Sequence, residues 1–390
     1  MKLFDVYPLY DIEPVRALNC TVEDVNNTQY LDLYGGHAVI SIGHAHPHYV
    51  ESIKNQLDSI GFYSNAVQNS LQLKLAKKLG ELSGYSDYQL FLCNSGAEAN
   101  ENALKLASFH TNKARIVGFT NGFHGRTSAA VSVTDNANII APLNKQHDVT
   151  LLPLNKIEMV AKELGKGDVC AVIIEPIQGV GGLDEGSSQF FQALAKVCKA
   201  NDVLLILDEV QAGYGRTGKF FAHQHHGITP DIISVAKGMG NGFPMGGILI
   251  APHIKASHGL LGTTFGGNHL ACAAGIAVLE VIEEESLLKN AKAIGQYFYE
   301  QVITIQQVQA VKGRGLMLGL QFDFEVGPLR NALLYKHLIF TGAAKDKHVL
   351  RILPPLTITE IEVDQFIKAL RSELVEKEIP EHFKTKVSLK

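Results

Sequence analysis

From residue 89 onward the hydrophobic positions fall into short unbroken runs, separated by longer stretches with helical spacing. The runs are Gln89–Cys93, Arg115–Phe119, Val149–Leu152, Val169–Ile174, Val203–Leu207, Ile232–Val235 and Gly247–Ile250. Several are Val, Ile and Leu with no polar interruption, the pattern of strands covered on both faces of a parallel sheet. Between many of them apolar residues recur every three to four positions, as in Ala97–His110 and Ser188–Ala200, which predicts helices. The alternation predicts an open, doubly wound α/β sheet, mostly parallel, with ligands at the carboxyl ends of its strands.

Both flanks read differently. Residues 1 to about 45 are irregular and strand-like, with a strand and turn over Tyr30–Val39, and helices are predicted over Pro47–Ile60 and Leu71–Leu82. After Asn268 long helices are predicted over Leu270–Glu284 and from Glu285 to about Ile305. Then come a turn and strand over Val311–Phe322, a helix near Leu329–Phe340, a strand over His348–Ile352 and a helix over Thr359–Glu376. These segments suggest a large domain over 46–284 and a smaller α+β domain built from 1–45 and 285–390. A length of 390 residues suits two or three domains.

Composition narrows the class. With 46% hydrophobic and 19% charged residues the chain can bury a large core. A net charge of −4, with scattered Lys and Arg, offers no stripe for nucleic acid, and the mildly basic end His382–Lys390 reads as a solvated tail. The five cysteines are far apart and form no C-x-x-C pair, and Cys93 and Cys170 sit in apolar runs, so buried thiols in a reducing compartment are expected. Asp5, Asp11 and Glu13, with no apolar core, do not fit a signal or transit peptide. The longest apolar run, Leu270–Leu279, stops at Glu280, short of a membrane span. A cytoplasmic protein is expected. His44, His46 and His48 alternate in a way that suggests a metal, but Pro47 breaks any helix and no carboxylate or cysteine stands at ligand spacing, so they read as a loop leading into a helix and no metal is expected.

Four places carry candidate chemistry. Asn94-Ser95-Gly96-Ala97-Glu98 follows a strand and opens a helix, so backbone N–H groups and the helix dipole could hold a phosphate there; Ser95 and Glu98 equally make an ordinary capping box. Phe123-His124-Gly125-Arg126 could offer an aromatic plate and a carboxylate clamp, or a core residue and a surface charge. Asp208 ends an apolar strand and should face a cation, an arginine being the structural alternative. Lys237 follows Ile232–Val235 at the mouth of a glycine-rich loop, where desolvation would make its amine a nucleophile. An anion nest, a plate, a carboxylate and a lysine in one order are what pyridoxal 5'-phosphate requires: Lys237 as Schiff-base amine, Asp208 on the pyridine nitrogen.

With N-S-G-A-E-A-N at 94–100, F-H-G-R-T at 123–127, E-P-I-Q-G at 175–179, D-E-V-Q-A-G-Y-G-R-T-G from 208, A-K-G-M-G-N-G-F-P from 236 and T-T-F-G-G-N from 263, the chain resembles the class III aminotransferases of the acetylornithine, succinylornithine and ornithine subgroup. The resemblance runs from G-H-A-H-P at 43–47 to R-I-L-P-P-L at 351–356. It implies the fold type I architecture of pyridoxal-phosphate enzymes and a homodimer with sites at the interface. Ser95, Gly96 and Ala97 would hold the phosphate, Phe123 would stack on the ring, and Val210 and Gln211 would pack near the ring face and its phenolic oxygen. Thr264 would reach the phosphate of the neighbouring subunit. Arg126, with Thr263 nearby, would bind the substrate carboxylate, and Arg351 the α-carboxylate of glutamate or 2-oxoglutarate. Glu175 would support Arg126 or the ring surroundings.

The implied reaction moves the terminal amino group of an N2-acylornithine, acetyl or succinyl, to 2-oxoglutarate, in arginine biosynthesis. Ornithine, acyl-lysine and 4-aminobutyrate are the alternative donors, and an aminomutase on the same fold is a further alternative. One position departs from the subgroup, which has an acidic residue after E-P-I-Q-G to mask the glutamate-binding arginine. Here it is Val180.

Overall fold

A computed structural model describes residues 1–378 of the chain. The tail His382–Lys390 lies outside the described residues. At the centre is a seven-stranded sheet in the order Gln89–Cys93, Gly246–Ile250, Ile232–Val235, Leu204–Asp208, Val169–Ile174, Arg115–Phe119, Val149–Leu152. Six strands run one way; Gly246–Ile250 is antiparallel to both its neighbours. The sheet is thus mostly parallel, as the uninterrupted runs predicted.

Strand geometry sends alternate side chains to opposite faces. Ile116, Ala171, Ile173, Leu204 and Ile206 pack on one face with Ala99, Ala103, Leu104 and Ala107 of the helix Gly96–Thr111. Val117, Val172, Ile174, Leu205 and Leu207 pack on the other face with Phe190, Phe191 and Leu194 of the helix Ser188–Ala200. Every residue of Val169–Ile174 is buried. Covered on both sides, such a strand has no polar face to show, which is why its sequence does not alternate.

The helices begin where side chains can satisfy their free N–H groups. Ser187 accepts from Phe190 N, Asn69 from Leu71 N and Asn268 from Ala271 N. Helix His269–Glu284 is buried along most of its length and packs among the core residues shared with the C-terminal part.

Several boundaries differ from the predicted ones. The second long helix runs only Leu287–Val302, because Ser286 takes a left-handed φ of 53° and breaks it from its predecessor. The segment Val311–Phe322 is a hairpin of two strands, Ala310–Arg314 and Met317–Gln321, rather than one strand. The helix expected to reach Phe340 is Gly327–His337; Leu338 turns the chain at φ 57° and Ile339–Phe340 becomes a strand. That strand pairs in parallel with Leu31 and Asp32, so a tertiary partner outweighs local helical spacing. The N-terminal segment forms the strands Pro14–Leu18, Thr21–Asp24 and Gln29–Asp32. The turn expected before Val39 is a short helical turn, Gly35–Ala38, with positive φ at all four residues.

All five cysteines are buried and unpaired. His44, His46 and His48 each meet a different carboxylate, those of Asp32, Glu285 and Glu280, at 2.8 Å. Among the described residues no helix is long and apolar enough to cross a membrane.

Candidate active site

Parallel strands deliver their following residues to one edge of the sheet, and a cavity of about 420 Å³ opens there. Ser95, Gly96 and Ala97 come after Gln89–Cys93, and Phe123 and Arg126 after Arg115–Phe119. Asp208 ends its strand and Lys237 follows Ile232–Val235, with Val210 and Gln211 completing the lining.

Ser95 both caps a helix and lines this cavity. Its Oγ accepts from Glu98 N at 3.2 Å, while the Glu98 carboxylate accepts from Asn94 N at 2.7 Å. The cap leaves the first helical N–H groups, Gly96 and Ala97, without a protein partner among the described residues. These donors sit at the positive end of a 16-residue helix, a ready site for an anionic group. The cradle tolerates no side chain: a Cβ on Gly96 would come 2.6 Å from Val210 Cγ1, and one on Gly125 2.7 Å from Ala97 Cβ. Gly125 also needs its φ of 133°, in the region that favours glycine.

Asp208 does not pair with an arginine. Its Oδ2 accepts from Asn100 Nδ2 at 2.7 Å and meets His124 Nδ1 at 2.7 Å, while Oδ1 accepts from Val210 N at 3.1 Å. Ser234 Oγ donates to Asn100 Oδ1 at 2.6 Å, and Asn100 Nδ2 also donates to the His124 carbonyl. Burial pushes the His124 imidazole down, but the hydrogen bond and charge of Asp208 outweigh it and the net shift is upward. Sequence reading missed Asn100 and His124 as site residues. Both lie inside the motifs N-S-G-A-E-A-N and F-H-G-R-T, so the motifs carried the signal without the roles.

Lys237 sits in the short turn Lys237–Met239 with φ of 43°, uncommon for a residue with a Cβ. Such conformations persist where surrounding structure enforces them. Among the described residues its Nζ makes no hydrogen bond or ion pair. Burial lowers its pKa; the charges of Asp208 and Glu175 oppose this, and that of Arg351 adds to it. The amine is thereby biased toward its neutral, nucleophilic form.

The remaining expected residues divide. Phe123 is half-buried on the cavity wall and Arg126 is exposed at its rim. Glu175 is buried outside the lining and accepts from Phe123 N at 2.9 Å and Gly179 N at 2.9 Å; it makes no hydrogen bond or ion pair with Arg126. Burial drives its carboxyl up to about 7, against the charge of His124. Thr263 lies beside the cavity, accepting from Asn94 Nδ2 at 3.2 Å, whereas Thr264 is exposed and lines no part of it. Arg351 is buried behind Gln211, with Nη1 at 3.5 Å from Gln211 Oε1 and at 2.8 Å from the Gly179 carbonyl. The donors, the carboxylate, the aromatic wall and the free amine all fit a phosphorylated planar cofactor bearing an aldehyde.

Comparison with known proteins points the same way. The Aminotransferase class-III family matches residues 6–374. The acetylornithine aminotransferase of Bacillus subtilis (strain 168) is 41% identical over 377 residues, covering 95% of this chain and 97% of its own. That of Aquifex aeolicus is 39% identical over 379 residues, covering 95% and 98%. Among solved structures, the ornithine aminotransferase of Toxoplasma gondii ME49 superposes with a TM-score of 0.87 at 26% identity, covering 95% of this chain and 92% of its own. A transaminase from an Arthrobacter species shares the fold, with a TM-score of 0.89 at 23% identity over 98% and 96%. The chain belongs to the class III aminotransferases, enzymes that depend on pyridoxal 5'-phosphate.

Proposed function

We propose that this enzyme moves the terminal amino group of N2-acetylornithine to 2-oxoglutarate, giving N-acetylglutamate semialdehyde and glutamate, in arginine biosynthesis and in the cytoplasm. The observation that carries the reading is the convergence of Asp208, Lys237 and the open end of helix Gly96–Thr111 on one cavity. The donor is taken from relatives about 40% identical over nearly the whole chain. Most of the cavity lining falls in 46–284, with 1–45 and the described residues from 285 onward as the smaller unit, a division supported by the pairing of Gln29–Asp32 with Ile339–Phe340.

When bound, pyridoxal phosphate supplies an electron sink that makes the proton beside the reacting nitrogen removable. Gly96 and Ala97 N–H groups hold its phosphate, with Ser95 fixing the turn. Phe123 and Val210, both on the cavity wall, would pack against its ring. Asp208 keeps a proton on the pyridine nitrogen, and Asn100 and His124 hold that carboxylate in place. Lys237 would supply the amine that receives the cofactor's aldehyde. Its Nζ would serve as general base and acid for the proton on the substrate carbon. Arg126 and Thr263 receive the donor's carboxylate, Arg351 that of 2-oxoglutarate, and Gln211 links Arg351 to the cavity.

A homodimer is part of the proposal. Thr264 is exposed and stands beside Phe265, which is 59% exposed and meets the Phe62 ring at a tilt, centroids 5.3 Å apart, with Leu57, Tyr63 and Val67 also exposed nearby in the chain. An apolar patch of this kind marks an interface, and Thr264 would act on the neighbouring subunit's phosphate from it. The test is single turnover: the yellow aldehyde form is mixed with acetylornithine, succinylornithine, ornithine, 4-aminobutyrate and glutamate separately. Acetylornithine should bleach it fastest among the ω-amines. Faster bleaching by free ornithine would overturn the acyl donor.

A further inference from the structure

We propose that Tyr34 and His37 form a neutral cover over Arg351, and that this cover sets how readily the enzyme accepts a donor whose carboxylate adjoins the reacting amine. The inference rests on the reading of Arg351 as the carboxylate clamp.

Arg351 is 3% exposed, yet among the described residues no carboxylate forms an ion pair with it. Its hydrogen-bond partners are all neutral: the carbonyls of Ala343 and Gly179, Gln211 Oε1, and the Tyr34 side chain, whose hydrogen bond favours the charged guanidinium. Position 180, next to the Gly179 acceptor, is a half-buried valine and offers no charge. A buried guanidinium left on neutral acceptors keeps capacity for an anion. The group lying over it is an aromatic ring: Arg351 Cζ is 5.9 Å from the centroid of Tyr34.

The ring is fixed from two sides. Gly342 pairs with Arg351 across the sheet, and a Cβ on it would come 2.6 Å from Tyr34 Cε2 and 3.1 Å from Arg351 Cβ. The strand thus leaves a slot that the tyrosine ring occupies beside the arginine. On the other side the Tyr34 hydroxyl is hydrogen-bonded to His37 Nδ1. Gly35, Gly36, His37 and Ala38 all have positive φ, between 55° and 68°. Left-handed backbone is costly at His37 and Ala38, and here it curls the imidazole back onto the tyrosine. Burial, then the charges of Arg351 and Lys237, push the His37 imidazole toward its neutral form, which places it within reach of both cations. Val39, at the end of the same turn, lines the cavity.

A ring–cation contact is weaker than a bidentate carboxylate pair, so 2-oxoglutarate can displace the ring, whereas a donor that presents no carboxylate there leaves it in place. The cover therefore does by ring contact what an acidic residue at 180 would do by charge.

The test uses the cofactor-loaded enzyme and the variants Tyr34→Ala, His37→Ala and Tyr34→Phe. Binding of glutarate, a dicarboxylate with no amine, is measured by calorimetry, and single-turnover rates are measured with glutamate and with acetylornithine. Removing the ring should tighten glutarate by about two- to thirtyfold and raise the glutamate-to-acetylornithine rate ratio in the same proportion. His37→Ala, a change at an exposed side chain, should move both readouts the same way by a smaller factor. Tyr34→Phe keeps the ring but loses the hydroxyl's bonds to His37 and Arg351, and should fall between wild type and Tyr34→Ala in both readouts. Unchanged glutarate affinity and rate ratio in both alanine variants would overturn the cover. Weaker glutarate binding would overturn it too, making Tyr34 a carboxylate ligand instead. A wild-type enzyme that reacts with neither donor overturns the functional reading itself, an outcome distinct from either.

Discussion

His124 Nδ1 lies 2.7 Å from Asp208 Oδ2, and the two side chains are only 1% and 4% exposed. Asn100 donates to the same oxygen, also at 2.7 Å. With both partners on Oδ2 and the Val210 N–H on Oδ1, the carboxylate is held in one orientation on the cavity wall, away from water that would weaken these bonds. Replacing either donor loosens a charged hydrogen bond, worth about 1.5–3 kcal/mol. His124→Gln or Asn100→Ala should therefore weaken pyridoxal phosphate about ten- to hundredfold. Equilibrium dialysis of the cofactor checks this; affinity within twofold of wild type would make the pair a packing feature.

Lys237 provides the sharpest loss. Lys237→Ala should abolish transamination, and borohydride should no longer fix cofactor mass to the peptide containing position 237, which mass spectrometry reads directly. Retained turnover would end the assignment.

Glu175 links charge to stability. Its carboxyl is raised from an ordinary 4.5 to about 7, with burial the largest cause, then the charge of His124 opposing and that of Asp208 adding to the rise. Between those pH values the folded protein holds a proton that the unfolded chain has released. The stabilisation is complete below about 4.5 and is lost as pH rises through about 7. The wild-type stability should fall relative to that of Glu175→Gln between pH 5 and 7.5, by roughly 1.4 kcal/mol per pH unit at most, seen as a lowered Tm. Apo-protein melting curves at several pH values give the comparison, and parallel curves would refute it.

Val180 offers a gain of function. Val180→Glu places a carboxylate one residue from the Gly179 carbonyl that already contacts Arg351. A partly buried ion pair there should mask the arginine and raise the acetylornithine-to-glutamate rate ratio about tenfold, read by single turnover. An unchanged ratio would show that the new carboxylate does not reach Arg351.

The sequence by itself determined the sheet and where its candidate chemical groups stand along the chain. Unbroken Val, Ile and Leu runs can be covered only on both faces, and a carboxylate or lysine at the end of such a run has nowhere to go but the sheet's carboxyl edge. Asp208, Lys237 and the helix opening at Ser95, singled out by the motifs, line one cavity. Tertiary structure alone decided the rest. Asp208 and Glu209 are adjacent in sequence, but only Asp208 lines the cavity; Glu209 turns to His223 and its backbone. Asn100, His124 and Asp208 meet from three separate elements, and Tyr34 reaches Arg351 only because Gln29–Asp32 pairs with a strand more than 300 residues away. Local spacing records the period of a strand or helix, but not which distant side chain will stand opposite, because that choice is made by packing energies that exist only once the chain has closed on itself.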